Sequence, residues 1–479
     1  MQAQVKTTIL NIFQVSDALS EAMYYVKRQI EKDKELELFR LITDIYNGVK
    51  SIEKALLALG GNLYRRDTAI KGTNLKNDLR SIIKGYQEEN LGKIKEKISR
   101  HLYFDFINWR KEINDSLKNY LFQSRPRRTP HGKITIGYMD INPKEDIDFK
   151  TVSAYIASFH GVDFFHFTYK DIDFKRKKIN GFVLHGDSWV RKELDYPDVI
   201  FDRLRMRGHQ PFQKIYDEFV DIPFTNDRKG GSLSKLEAYD LIASSGCFGE
   251  YLIPYHEIND ADIIWDYLDR YHKIVVKPLE GSFGSGVIYI GKLQDQYFEI
   301  IMGKTRNIAS RSELSALFAK IMEASSEFLV QKYVASRTPD GYPFDIRVHT
   351  SKNRLGIWSL AGTVVRIGPV NSIVTNVVAG GSTCDLSTFF PRVFDKDKYQ
   401  EFYERLIMFA LLFSTYFESL IGENIDHIGL DLAVDEQMQI YLIEVNVNRV
   451  NLFPLFQLHT ARHMVQYATY LAEKYLPEK

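Results

Sequence analysis

With 479 residues the chain is long enough for about two to four domains with cores of their own, and at 44% hydrophobic and 13% aromatic composition it is too apolar to be disordered. A formal net charge of +1 exerts no global pull toward nucleic acid or membrane, so any charge argument has to be local. Cys247 and Cys384 are the only cysteines, which excludes a disulfide framework or a cysteine zinc site and suits a reducing, cytoplasmic setting.

Lys6, Asn11, Gln14 and Asp17 interrupt the N-terminal stretch, so export through a signal peptide is not expected. Everything before Pro126 reads as helix. Val5, Ile9, Ile12, Leu19, Met23, Val26 and Ile30 recur at three- and four-residue steps, as do Phe39, Ile42, Tyr46, Val49, Ile52, Leu56 and Leu59. Leu75, Leu79 and Ile82 begin a third helix that runs on or breaks near Asn90 to Gly92, and Ile94, Ile98, Leu102, Phe106, Trp109, Ile113 and Leu117 carry the last. The pattern is that of an antiparallel all-α bundle over 1–125. It is mildly basic, and Arg125, Arg127 and Arg128 extend that charge into a linker. Solvated helix faces account for such charge, and a patch for an acidic partner is the sharper reading.

From Lys133 the grammar changes to short alternating strands and helices: a strand at Ile134–Met139, a helix at Thr151–Phe159, strands at Asp163–Phe167 and Gly181–Leu184, and a strand over Pro197-Asp198-Val199-Ile200-Phe201-Asp202-Arg203. Ile222–Phe224 follows as a further apolar segment, then a helix over Ser232–Ser244 bearing Lys235. Asn259 is placed to cap a helix through Tyr271. Lys273–Lys292 reads as a strand, a glycine-rich turn with Gly281, Gly284 and Gly286, and a second strand. It matches neither the P-loop nor the dinucleotide fingerprint, because strand-like residues follow where those motifs open a helix. The stretch fits a hairpin tip lying over phosphates and, equally, an ordinary hairpin with a loose loop. Ser310-Arg311-Ser312-Glu313 is a capping box before a helix over Leu314–Ala324. Strands at Phe328–Val334, Ile346–His349 and Gly356–Ile367 come next, then a helix from about Lys398 to Leu420 and a strand pair, Gly429–Val434 with Gln439–Asn446. The apolar run Leu406–Phe417 is too short to cross a bilayer and reads as a buried helix.

Charged residues inside apolar strands are expensive unless they serve a site. Asp431 stands in I-G-L-D-L-A-V, and Glu444 and Asn446, two apart, point to one face of their strand. Together they form a hard, all-oxygen set suited to Mg²⁺ carrying nucleotide phosphates, and salt-bridged strand residues are the plainer alternative. Lys235 and Lys277 offer ammonium groups for triphosphate oxygens, and Arg347 offers a planar fork for a transferring phosphoryl group or a carboxylate. The strand Gln331-Lys332-Tyr333-Val334 is a natural place for backbone groups to read an adenine edge.

In that order, helix lysine, strand lysine, glycine loop, hinge strand, D-x-R and D…E-x-N, the chain resembles the ATP-grasp superfamily, and within it the YheC/YheD group associated with endospore coats. The resemblance runs from about Lys133 to Tyr475. It rests on Pro197–Arg203, Lys277-Pro278 with Gly281-Ser282 and Gly284-Ser285-Gly286, Phe344-Asp345-Ile346-Arg347-Val348, Ser372-Ile373-Val374-Thr375-Asn376 with Gly380-Gly381, and Ile443-Glu444-Val445-Asn446. It implies an α+β / α/β ATP-grasp fold: a helical bundle over 1–125, a pre-ATP-grasp α/β domain over 126–225, and an ATP-grasp domain of two α+β subdomains over 226–479, with a lid at about 260–335. It also implies ATP and Mg²⁺ as cofactors. Lys235, Lys277, Gly281, Ser282, Gly284, Ser285 and Gly286 would hold phosphates, Gln331, Lys332 and Val334 would frame adenine, and Asp431, Glu444 and Asn446 would ligate metal. Arg347 would face the reacting phosphoryl group, with Arg366 and Asn376 near the acyl substrate. The expected activity is carboxylate–amine ligation through an acyl phosphate, on an amino acid, peptide or coat-type protein, with no nucleic acid or membrane partner. A catalytically reduced ATP-binding scaffold, recruiting a protein partner or second copy through the bundle, is the alternative. Phosphoryl transfer to a hydroxyl is a third reading. The chain departs from the group's pattern in Asn446-Val447-Asn448-Arg449-Val450-Asn451, where a Lys-Pro-Gly turn is usual, and in Lys235-Leu236, where Lys-Trp is usual.

Overall fold

The computed structural model of the chain describes residues 2–31, 38–60, 64–88, 90–98, 102–123, 132–229, 233–279, 285–294, 296–303, 305–323, 327–375, 380–447, 450 and 454–475. They fall into two compact units: Met1–Gly230 with Phe417–Ile425 and Val465–Lys479, and Gly231–Tyr416 with Asp426–Met464.

The first unit opens with helices α1 (Gln2–Glu31), α2 (Phe39–Leu59), α3 (Arg66–Gln87), α4 (Leu91–Lys97) and α5 (Tyr103–Gln123). Their apolar stripes are buried as the periodicity requires: Ile9, Val26, Ile42, Val49, Leu75, Leu79, Phe106 and Leu117 are all inaccessible. The chain breaks between α3 and α4 near Asn90, whose N–H reaches back to the Gly85 carbonyl at 2.9 Å. The bundle core also holds a polar knot. Glu53 accepts from Tyr64 Oη at 2.5 Å and pairs with Lys76, and a Cβ at Gly72 would stand 2.4 Å from Glu53 Oε1 and 2.8 Å from Trp109 Nε1. Gly72 is therefore a close-approach position inside a helix that would otherwise prefer alanine.

The α/β part comprises β1 (Thr135–Asp140), α6 (Ile147–Phe159), β2 (Asp163–Thr168), β3 (Ile172–Asp173), β4 (Lys178–His185), β5 (Ser188–Asp195), β6 (Val199–Asp202) and α7 (Gln213–Glu218). The sheet order is β3-β4-β2-β1-β6, with β5 on β4, and β1 runs parallel to both β2 and β6. The hairpin β4–β5 is longer than the apolar Gly181–Leu184 suggested, because β5 is mostly exposed and carries Arg191, Lys192 and Glu193 where an apolar signal would be sought. Ile222–Phe224 forms no strand; Phe224 makes a single bridge to Ile200.

The second unit contains α8 (Lys235–Ser245), β7 (Tyr255–Glu257), α9 (Ala261–Tyr271), β8 (Lys273–Pro278), β9 (Ile288–Gln294), β10 (Tyr297–Met302), β11 (Thr305–Ser310), α10 (Arg311–Glu323) and β12 (Phe328–Lys332). These strands form an antiparallel sheet in the order β11-β10-β9-β8-β12-β7. Its core joins Ile264, Leu268, Leu314 and Phe318 from the two helices to Ile274, Val276, Ile290 and Val330 from the strands. The cap of α9 is Asp260, which accepts from the Asp262 N–H, and not Asn259. The capping box before α10 forms as read, with Glu313 Oε2 accepting from the Ser310 N–H at 2.8 Å. Strand β11 had no distinct signal, because Thr305-Arg306-Asn307 is exposed and polar, whereas β10, Tyr297–Met302, is apolar and strand-like and was not assigned from sequence.

The remainder consists of β13 (Phe344–Lys352), β14 (Trp358–Ile367), β15 (Ser382–Cys384), α11 (Leu386–Phe389), α12 (Tyr399–Ile421), β16 (His427–Val434), β17 (Ile440–Asn446) and α13 (Gln457–Lys474), with the strands in the order β15-β14-β13-β16-β17. Helix α12 is buried on one face only. Phe409, Ala410 and Phe413 are covered, whereas Met408 and Leu412, read as part of a buried helix, are 62% and 57% exposed. Among the described residues no helix is long and apolar enough to cross a membrane.

Candidate functional site

Strand β13 is buried along its whole length, yet alternate residues on one face are Asp345 and Arg347. Its register places Arg366 of β14 opposite Asp345 and Asp431 of β16 opposite Arg347. Arg366 grips Asp345 with Nε and Nη2, both at 2.7 Å, and its Nη2 also lies 3.0 Å from Asp431 Oδ1. Arg347 holds Asp431 through Nε on Oδ1 and Nη2 on Oδ2, the latter at 2.9 Å. Two forks and two carboxylates thus form a buried chain, Asp345–Arg366–Asp431–Arg347, across three strands. Burial raises the Asp431 carboxyl, but Arg347 and Arg366 more than offset it and hold it below the ordinary range. Asp345 remains raised by burial despite Arg366. Gly429 makes room for this arrangement: a Cβ there would stand 2.9 Å from Val450 Cγ1 and 3.1 Å from Arg347 Nη1.

On the other side of β16 the register pairs Asp431 with Glu444 and Gly429 with Asn446, so the three oxygen-bearing residues share one face. Asn446 Nδ2 points to the Gly429 carbonyl at 3.4 Å, which turns its amide oxygen the other way. Glu444 is half-buried, and among the described residues no basic side chain lies within ion-pair distance of it. Burial first, and the Asp431 charge second, push its carboxyl up. A carboxylate raised by burial and by a second carboxylate, beside an amide oxygen, is a donor set that a divalent cation would relieve. The residues present fit Mg²⁺.

A bulge follows: Asp431 pairs with Glu444 but Leu432 pairs with Leu442, leaving Ile443 out of register. The Ile443 carbonyl accepts from Tyr239 Oη, which ties α8 to β17. Tyr239 lies one turn after Lys235, on the same side of α8, and packs with Leu236, Leu279 and Leu329. Lys277 Nζ donates to Tyr239 Oη at 3.2 Å. Burial lowers Lys277 to about 8, with Glu444 and Asp431 opposing the shift. Lys235, whose Nζ is 3.4 Å from the Leu279 carbonyl, is lowered by burial and supported by Glu444. Both lysines therefore stand in the electrostatic reach of the metal-type carboxylates.

Leu329 pairs with Lys277, so Gln331 shares the lysine face of the β8–β12 pair and is buried there. Lys332 points the other way, with its ammonium 5.9 Å from the Tyr271 ring, so its side chain is not among those brought together. Val334 lies half-buried just past β12. Ser285 and Gly286 form the turn before β9, and Gly286 has φ 74 with a built Cβ 3.2 Å from Pro278. Gly281, Ser282, Gly284 and Asn376 lie outside the described residues. Three participants escaped the sequence reading as site residues: Asp345, Tyr239 and Thr375, whose Oγ1 donates to Asp345. Asp345 carried a signal, a charge alternating with Arg347 on an apolar strand, while Tyr239 read as ordinary core.

Comparisons with known proteins give the chain's relatives. A family model described as YheC/D like ATP-grasp matches residues 221–471, and a second, described as a domain of unknown function (DUF8042), matches 7–112. The endospore coat-associated protein YheD of Bacillus subtilis (strain 168) is 27% identical over 330 residues, 65% of this chain and 71% of that one. YheC of the same organism is 24% identical over 325 residues, 65% of this chain and 88% of that one. Among solved structures, D-cycloserine synthetase DcsG aligns with a TM-score of 0.40 at 14% identity, over 71% of this chain and 99% of that one. The Bacillus anthracis D-alanine–D-alanine ligase complexed with ATP aligns with a TM-score of 0.39 at 14% identity, over 72% and 97%. With more than half of its length matched by the first model, the chain belongs to the YheC/D-like ATP-grasp family.

Proposed function

We propose that the protein is an ATP- and Mg²⁺-dependent carboxylate–amine ligase. The observation that carries this reading is Glu444: a half-buried carboxylate opposite Asp431, with Lys235 and Lys277 in its field and no ion-pair partner among the described residues. Asp431, Glu444 and Asn446 would hold Mg²⁺, which when bound neutralises charge on the phosphate oxygens. Lys235 and Lys277 bind the triphosphate. Arg347, oriented by Asp431, stabilises charge on the transferring phosphoryl group, and Arg366, oriented by Asp345, receives the acid. The substrate carboxylate attacks the γ-phosphorus and expels ADP. An amine then attacks the acyl carbon, expelling phosphate and losing a proton as the amide forms. The chain's own contribution is positioning and charge, and no side-chain nucleophile is needed.

The coat-associated names of YheD and YheC favour a peptide or coat-type protein as one substrate. Incubating the purified chain with Mg²⁺, ATP and pools of amino acids and peptides tests the reading. ADP should appear only when an acid and an amine are both present, together with a condensed product in the mass spectrum. Glu444→Ala should slow turnover by about a hundred- to a thousandfold, the cost of removing one transition-state stabiliser. Equal turnover in Glu444→Ala, or ADP release indifferent to acid and amine, would overturn it.

A further inference from the structure

The helical bundle touches two later segments of its own unit, 225–229 and 422–424, through a defined set of side chains. Arg110 of α5 is 5% exposed. Its Nη2 lies 2.5 Å from Asp17 Oδ1 on α1 and 3.5 Å from Glu423 Oε1 in the segment just after α12. The second oxygen of Glu423 accepts from Arg228 Nη1 at 2.9 Å. Burial disfavours charge on Arg110, but Glu423 and Asp17 hold its guanidinium above the ordinary range. Next to this chain of ions the backbone fits closely. Gly422, with φ +70, would place a Cβ 2.6 Å from Ile107 Cγ2 of α5. Asn424 accepts the Asp227 N–H at its carbonyl (2.9 Å), donates to the Thr225 carbonyl (3.2 Å) and accepts from Tyr467 Oη (2.9 Å). Lys118 of α5 pairs with Asp227 at 2.6 Å, and Lys229 with Glu21 of α1 at 2.9 Å.

Two stretches are gripped in this way, 225–229 and 422–424. The first runs a few residues on into α8 with Lys235, and the second into β16 with Asp431. We propose that Arg110 is a positioning residue, and that the N-terminal bundle is an internal clamp holding together the two segments that lead into the phosphate-binding helix and the metal-binding strand. The inference rests on the ligase reading only for what is positioned; the clamp itself rests on the contacts above. A buried guanidinium bridging two carboxylates is costly to break, because loss of either side leaves uncompensated charge. The α1/α5 face that carries Asp17, Arg110 and Lys118 is consequently used within the chain.

The test compares the full-length protein with Arg110→Met, Arg110→Lys and the near-isosteric Glu423→Gln. Hydrogen exchange is read in peptides covering 225–229, 422–426, α8 and β16, and Mg·ATP affinity is read by calorimetry. Arg110→Met should speed exchange in all four regions and weaken Mg·ATP by about five- to tenfold, a coupling of ordinary size between sites. Arg110→Lys, which keeps the charge, should recover most of both effects. Should Arg110→Met not fold, Glu423→Gln should show the same changes more weakly. Unchanged exchange in a folded Arg110→Met, or faster exchange confined to 225–229 and 422–426 with unaltered affinity, would overturn the positioning role. If the unmodified protein binds no ATP, the ligase reading fails, and exchange in α8 and β16 alone decides the clamp.

Discussion

Asp431 and Glu444 lie directly opposite one another on β16 and β17, yet only Asp431 is neutralised by arginines among the described residues. The two carboxylates therefore do different things before any ligand arrives. Asp431 links Arg347 to Arg366 and through it to Asp345, while Glu444 adds negative charge that the folded chain tolerates. Asp431→Asn should cost about 3–5 kcal/mol of stability, since it takes the buried carboxylate from Arg347 and one of two carboxylate contacts from Arg366. Glu444→Gln should leave the ligand-free protein as stable as before or more so. Urea unfolding of both variants without nucleotide measures the contrast.

Lys277 links the site to pH. Its folded-state value of about 8 lies below the ordinary 10.5 because burial disfavours the ammonium. In the free protein the side chain thus loses its proton as pH rises through about 8, and a neutral amine binds a triphosphate poorly. Mg·ATP affinity should fall between pH 8 and 10, and fall less steeply over that range in Lys277→Met, where only Lys235 is left to lose its proton. Folding stability has the opposite slope. Between about 8 and 10.5 the unfolded chain holds a proton that the folded one has lost, so Lys277 makes the protein more stable as pH rises there.

The fold and the shared face of several candidate site residues were legible because their signals are local. Strand alternation brought Glu444 and Asn446 to one face, the apolar periodicities of α1, α2 and α3 placed those helices, and the apolar run Leu406–Phe417 placed α12. The arginine–carboxylate chain was not legible. That Arg366 serves Asp345, and that Arg347 crosses Gly429 to reach Asp431, depends on strand register and on the missing Cβ of one glycine. Tyr239 was likewise invisible, because its partner is a carbonyl freed by the bulge at Ile443. Polar exposed strands such as β5 and β11 lack the alternation on which strand reading depends.

Gly72 offers a test of the bundle core. Alanine gains helix propensity, but its Cβ would press on Glu53, Trp109 and Tyr64 Oη, which lies 2.9 Å away. The net effect should be a loss of about 1–3 kcal/mol from overpacking, seen as a lowered unfolding midpoint.

His166 sits opposite Tyr138 in the first-unit sheet, stacked on Phe182 at 4.8 Å, with both ring nitrogens lacking a hydrogen-bond partner among the described residues. Burial, with Lys150 adding to it, lowers the imidazole to about 3 from an ordinary 6.5. As pH falls from 6.5 toward 3 the unfolded chain takes up a proton that the folded chain refuses, so stability is lost at up to about 1.4 kcal/mol per pH unit. His166→Phe should keep the stacking and remove that share of the acid slope in denaturant titrations at pH 4 to 7.

The central claim is that Asp431, Glu444 and Asn446 hold Mg²⁺ beside a triphosphate gripped by Lys235 and Lys277. Calorimetric titration of ATP into the unmodified protein and Glu444→Gln, each with and without Mg²⁺, tests it most directly. The expected result is one ATP per chain, bound far more tightly with Mg²⁺ than without, and loss of that Mg²⁺ dependence in the variant. No ATP binding, or an equal Mg²⁺ dependence in Glu444→Gln, would contradict it.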